Sequence, residues 1–113
     1  MPAPDVIERA RDADQARVLL NAAAALRQHA GAEAVRLAAM LESMTAAPPP
    51  PVIADAATLD LLAGLIELAR IPAVTALALA ADATAPDRAA AASLLIMRNQ
   101  LLEAATLLID RMA

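Results

Sequence analysis

Apolar residues recur along this chain at helical spacing, in blocks separated by glycine, proline or polar runs. The first block opens at Asp5-Val6-Ile7-Glu8, which has the form of a capping box with Asp as cap. It predicts a helix to about Ala30, with Gly31 as a left-handed stop. The first half of this helix is polar (Glu8, Arg9, Arg11, Asp12, Asp14, Gln15, Arg17), so its N-terminal turns are expected to project beyond the core or to fray. Its second half carries Val18, Leu19, Ala22, Ala25 and Leu26 on one face. A second helix, from about Ala32 to Met44, places Leu37, Met40, Leu41 and Met44 together, and Gly31 predicts a tight antiparallel hairpin between the two.

Pro48-Pro49-Pro50-Pro51 is a stiff extended segment that divides the chain. Beyond it, Asp55 is placed to cap a helix from about Ala56 to Arg70, with an apolar arc of Leu59, Leu61, Leu62, Leu65, Ile66, Leu68 and Ala69. Pro72 suits the first turn of a further helix through Ala81, apolar on all sides. Thr84-Ala85-Pro86-Asp87 reads as the start of the last helix, with Thr84 as its cap. There Ala90, Leu94, Met97, Leu101, Ala104 and Leu108 alternate four- and three-residue steps, a coiled-coil-like seam. Leu95, Leu102, Ile109 and Met112 widen it, and Asn99, Glu103, Thr106 and Asp110 form the solvent stripe.

The first and last helices are both long, about 40 Å for the last at 1.5 Å per residue, and can lie side by side. The expected fold is all-α: an elongated bundle of about five helices, with the two long helices packed against shorter ones. Residues 1–113 form a single domain on this reading, made of an N-terminal hairpin (5–46), the polyproline linker (48–51) and a C-terminal three-helix part (55–113). Neither half alone is long enough to bury a substantial core.

Composition narrows the function. Alanine supplies 34 and leucine 18 of the 113 residues, while Cys, Lys, Phe, Trp and Tyr are absent. Disulfides, thiol chemistry, cysteine-ligated zinc, a lysine Schiff base and aromatic stacking on bases are therefore excluded. Both halves are net acidic, with 5 Arg against 6 acids in residues 1–47 and 4 against 7 in residues 52–113. Such a balance disfavours nucleic acid. With only Gly31 and Gly64, no glycine-rich phosphate loop is present. The N-terminus lacks a signal-peptide pattern, and the apolar run 61–81 contains Glu67, Arg70 and Pro72. A charge at the centre of a membrane helix costs at least about 2.5 kcal/mol, so no membrane insertion is expected and a soluble, cytoplasmic protein is read.

Few residues offer chemistry. The single histidine, His29, lies at the carbonyl end of the first helix, where a cation-capable side chain is favoured without any catalytic role. Ser43 and Ser93 lack a nucleophile motif. No Glu is followed three residues later by His, so the di-iron bundle pattern is absent, and Asp60 and Glu67 read as a solvated edge. No enzyme, metal or cofactor is expected.

Arg98, amid Leu94, Leu101, Leu102 and Ala105, is expected to be buried in an ion pair with Glu67 or Asp60. Its alternative is an anion site. Ile96 and Leu107 fall outside the main arc and suggest that the last helix meets a second partner. The favoured function is a non-enzymatic protein–protein association module, an adaptor, assembly factor or chaperone-like protein and a homodimer, acting through Leu/Met/Ala faces. Its self-association or partner contacts are assigned to Ile96, Met97, Arg98 and Leu107. The second reading is a carrier for a hydrophobic or anionic small molecule, anchored by Arg98.

Overall fold

The computed structural model describes residues 4–29, 31–46, 49–81 and 85–112. Among these residues the chain is all-helical, with α1 (Pro4–Arg27), α2 (Ala32–Ser43), α3 (Ala56–Ala80) and α4 (Ala85–Arg111). There are thus four helices rather than about five, and the C-terminal part holds two rather than three. The difference lies at Pro72, which sits inside α3 instead of opening a new helix. An internal proline removes one helical hydrogen bond and costs about 3 kcal/mol. Here its ring is fully buried, and α3 packs on α4 along its length, which holds the helix through the break.

Each remaining boundary has a local cause. α1 begins at Pro4, a residue pre-set for a first turn, and closes at Arg27, earlier than expected. The expected stop, Gly31, instead stands at the N-cap of α2 with φ +135°, a conformation that only glycine adopts without strain. Asp55 caps α3 as expected, in extended conformation, its carboxylate accepting the Thr58 backbone N–H at 2.8 Å. That bond holds the Asp55 carboxyl below its ordinary range. The expected caps Asp5 and Thr84, and the expected helix end Ala30, lie outside the described side chains and residues.

α1 adjoins α2 and α4, and α3 adjoins α4 and α2. The molecule measures 52 × 38 × 20 Å, so its thinnest dimension is about two helix diameters. It is a two-layer structure: α1 and α2 lie on one face of the α3–α4 hairpin. The core between the layers is almost entirely leucine and alanine, with Leu19, Leu26, Leu37, Leu41, Leu61, Leu65, Leu101 and Leu108 all fully buried. Met40 and Met44 pack against it half-buried, as the α2 pattern predicts.

Gly64 lets α2 approach α3: a Cβ there would stand 2.7 Å from the Leu37 Cδ1. Arg36 adds a polar tie, donating to Glu33 at 2.6 Å and to Asp60 on α3 at 2.8 Å. Its hydrogen bond holds the Glu33 carboxyl below the usual range, and both carboxylates raise the Arg36 guanidinium. Arg27 near the end of α1 pairs with Glu42 near the end of α2, donating through Nε at 3.0 Å.

Residues 50–52 close onto the C-terminal end of α4. Val52 is buried and forms an isolated bridge with Met112, while Arg111 donates to the Pro50 carbonyl at 2.6 Å. These contacts hold Pro50 and Val52 against one end of the bundle.

The core occupies one end only. Between Ala69 on α3 and Leu101 on α4, the buried residues among those described are Pro72, Ala76 and Ala91. There the hairpin continues as a two-helix arm that neither α1 nor α2 covers. The polar first half of α1 also stands clear of the core, exposed from Val6 through Arg11, as its composition predicts.

Candidate interaction surface

The α3–α4 hairpin has an inner flank turned to α1 and α2 and an outer flank turned away. At 100° per residue, Leu61 and Leu65 of α3 and Leu101 and Leu108 of α4 fall on the inner flank. Leu59, Ile66 and Leu77 fall on the outer flank of α3, 53%, 52% and 75% exposed. On α4, Leu95, Leu102 and Ile109 repeat every seventh residue and are 38%, 37% and 53% exposed, with Leu102 at the edge of the side that faces α1. Because the two helices run antiparallel, both rows border the same side of the hairpin. Six large aliphatic side chains on one side exceed the scatter of single apolar residues that every soluble surface shows.

Sequence reasoning placed Leu59 and Ile66 in the same arc as Leu61, Leu62 and Leu65, and Leu95, Leu102 and Ile109 beside the α4 seam. The structure separates them. The inner half of each arc is covered and the outer half is left open, because two helices rather than several surround each member of the hairpin. The breadth of the arcs was the available signal. The α4 seam itself is buried at Leu101, Ala104 and Leu108, half-buried at Leu94 and Met97, and exposed at Ala90. Asn99, Glu103, Thr106 and Asp110 are all exposed, as expected.

The four residues assigned to partner contact do not form one patch. Ile96 is 58% exposed, while Met97 is half-buried against the core. Consecutive residues point about 100° apart, so Ile96, Met97 and Arg98 face three directions. Leu107, eleven residues after Ile96, returns to nearly the same side but is half-buried against the core.

Arg98 departs from its expected role. It is half-buried, and it donates to the neighbouring Asn99 Oδ1 at 2.8 and 3.2 Å. The carboxylates expected to pair with it are engaged elsewhere: Asp60 with Arg36, and Glu67 with Arg70 at 2.5 Å. An arginine can reach its head group out of an apolar seam along its own methylene stem, which removes the need for a buried partner.

His29 follows the last turn of α1, its backbone N–H donating to the Leu26 carbonyl at 3.0 Å. The ring Nε2 is buried without a hydrogen-bond partner. Among the described residues, no group of three or more His, Asp or Glu side chains is placed to hold a metal ion. An open groove of about 490 Å³ runs between α1 and α4, lined by Val18, Asn99, Leu102, Glu103, Thr106, Leu107 and Asp110. Its charged residues are both acidic, and Arg98 does not line it. Two segments, Ala56–Leu79 and Asp87–Arg111, are long and apolar enough to cross a membrane by length and composition.

Comparison with protein-family profiles, with curated proteins and with solved structures finds no match for this chain.

Proposed function

We propose that the protein is a non-enzymatic association module, soluble and cytoplasmic, that works by burying the uncovered flank of its α3–α4 hairpin against another protein chain. The supporting observation is the outer row of Leu59, Ile66, Leu77, Leu95, Leu102 and Ile109, on helices whose inner flanks are packed from Leu61 to Ala69 and from Leu101 to Leu108. Aliphatic surface of this extent gains free energy on leaving water, at about 25 cal/mol per Å². A helical partner suits it, because rows at three-, four- and seven-residue spacing accept the ridges of another helix. The α1–α4 groove does not favour an anionic ligand, since Glu103 and Asp110 would repel it.

Native mass spectrometry on gently purified protein tests this reading by reporting stoichiometry and any added mass together. A homo-oligomer, or a stoichiometric complex with a defined protein chain, is expected, without a small-molecule adduct. A monomer carrying a reproducible small-molecule adduct would overturn the association reading and return attention to a carrier role.

A further inference from the structure

The outer flank of α3 carries a second seam besides the one packed on α4. From Leu59, alternating steps of four and three residues reach Ala63, Ile66, Arg70, Ala73 and Leu77. This is the spacing at which one helix seats against another. All six are exposed except Ala73, which is half-buried.

The order Leu, Ala, Ile, Arg, Ala, Leu reads almost the same in both directions. Reversal about the level of Leu68 brings Leu59 opposite Leu77, Ala63 opposite Ala73, and Ile66 opposite Arg70. A two-fold interface must be self-complementary, each patch meeting its own copy, and this seam meets that condition in antiparallel orientation. The alanine layers let the backbones approach closely, while the leucine layers close both ends.

Charge agrees with the same register. Arg70 is bonded to Glu67 at 2.5 Å in its own chain. Two copies related about Leu68 bring two such pairs to the axis, four charges summing to zero.

We infer that a second copy of this chain packs antiparallel along α3, with Leu59 against Leu77, Ala63 against Ala73, and paired Arg70 and Glu67 side chains at the two-fold axis. This deepens the association reading and rests on it.

The absence of cysteine makes the register directly measurable. Ala63→Cys and Ala73→Cys are prepared as separate full-length proteins and exposed to mild oxidant. Neither is expected to crosslink alone, since like positions in the two copies lie ten residues apart along the helix, about 15 Å and beyond disulfide reach. Mixed together, they are expected to give a covalent dimer. In sedimentation equilibrium, Arg70→Glu is expected to weaken the dimer about 100-fold or more by opposing like charges. The double variant Glu67→Arg/Arg70→Glu restores neutrality and the dimer.

Self-crosslinking of Ala63→Cys alone would overturn the register. A dimer unaffected by Arg70→Glu would overturn this interface while leaving the association reading intact. A monomer that instead co-floats with vesicles of equal phosphatidylcholine and phosphatidylglycerol would overturn both.

Discussion

The two ends of the α3–α4 hairpin are built from nearly the same residues and meet different fates. At the packed end, α2 and the second half of α1 lie over the hairpin, and Leu61, Leu65, Leu101 and Leu108 are fully buried. In the arm the same two helices continue without a cover. There Ile71, Val74, Leu77 and Ile96 are at least half exposed, and mainly small or rigid residues (Pro72, Ala76, Ala91) are buried. The helices do not weaken between the ends; the number of neighbouring layers changes. A leucine is core or surface here according to what lies across from it, so the arm is either a surface awaiting a partner or a stretch held only by its own hairpin.

The largest expected effect lies in the packed end. Leu101→Ala removes a fully buried side chain at the centre of the layer contact and is expected to cost about 2–5 kcal/mol in chemical denaturation. If this loss falls below 1 kcal/mol, the end is less tightly packed than its burial indicates. Gly31→Ala comes next. The position has φ +135° and no neighbour within 4 Å, so the penalty is purely conformational, about 1–3 kcal/mol. An unchanged denaturation midpoint would show that the α1–α2 connection adopts another backbone path.

Gly64→Ala sets two effects against each other. Alanine is favoured over glycine in a helix by about 1 kcal/mol, but its Cβ would stand 2.7 Å from the Cδ1 of the fully buried Leu37, which would have to shift. Overpacking costs about 1–3 kcal/mol, so a net loss near 1 kcal/mol is expected, and a stabilised variant would show that α2 gives way. Leu77→Ala in the arm, by contrast, is expected to move monomer stability by no more than about 0.5 kcal/mol. A loss as large as that at Leu101 would erase the distinction between the two ends.

The smallest effect is pH-dependent. Asp55 has its folded pKa lowered, chiefly by the Thr58 backbone N–H. Its stabilising contribution is therefore complete above the unfolded value near 3.9 and disappears as pH falls through the folded value. The Tm difference between wild type and Asp55→Ala is expected to be larger at pH 7 than at pH 2. A constant difference would assign the effect of the substitution to helix propensity rather than to the charged cap.

Local signals carried most of the secondary structure. Gly31 marked the first connection, Asp55 capped α3, and the polar first half of α1 stood clear of the core, because each depends on neighbours close in the chain. Pro72 misled for a physical reason: its local preference to end a helix was outweighed by packing against α4, which no window of sequence contains. Arg98 misled similarly, since a charge amid leucines implies a buried partner only if the side chain cannot reach water. The candidate surface was partly legible. The α3 and α4 arcs are wider than one neighbour needs, but the width alone did not show which half would stay uncovered.

The sequence by itself determined an all-helical, aromatic-free chain whose stability comes from close leucine–alanine packing, because helical periodicity and side-chain volume are properties of the residues themselves. Only the tertiary structure decided that α1 and α2 share one side of the hairpin and leave the other open. Burial depends on which elements meet across space, and with four helices in two layers there is cover for one flank and not for both.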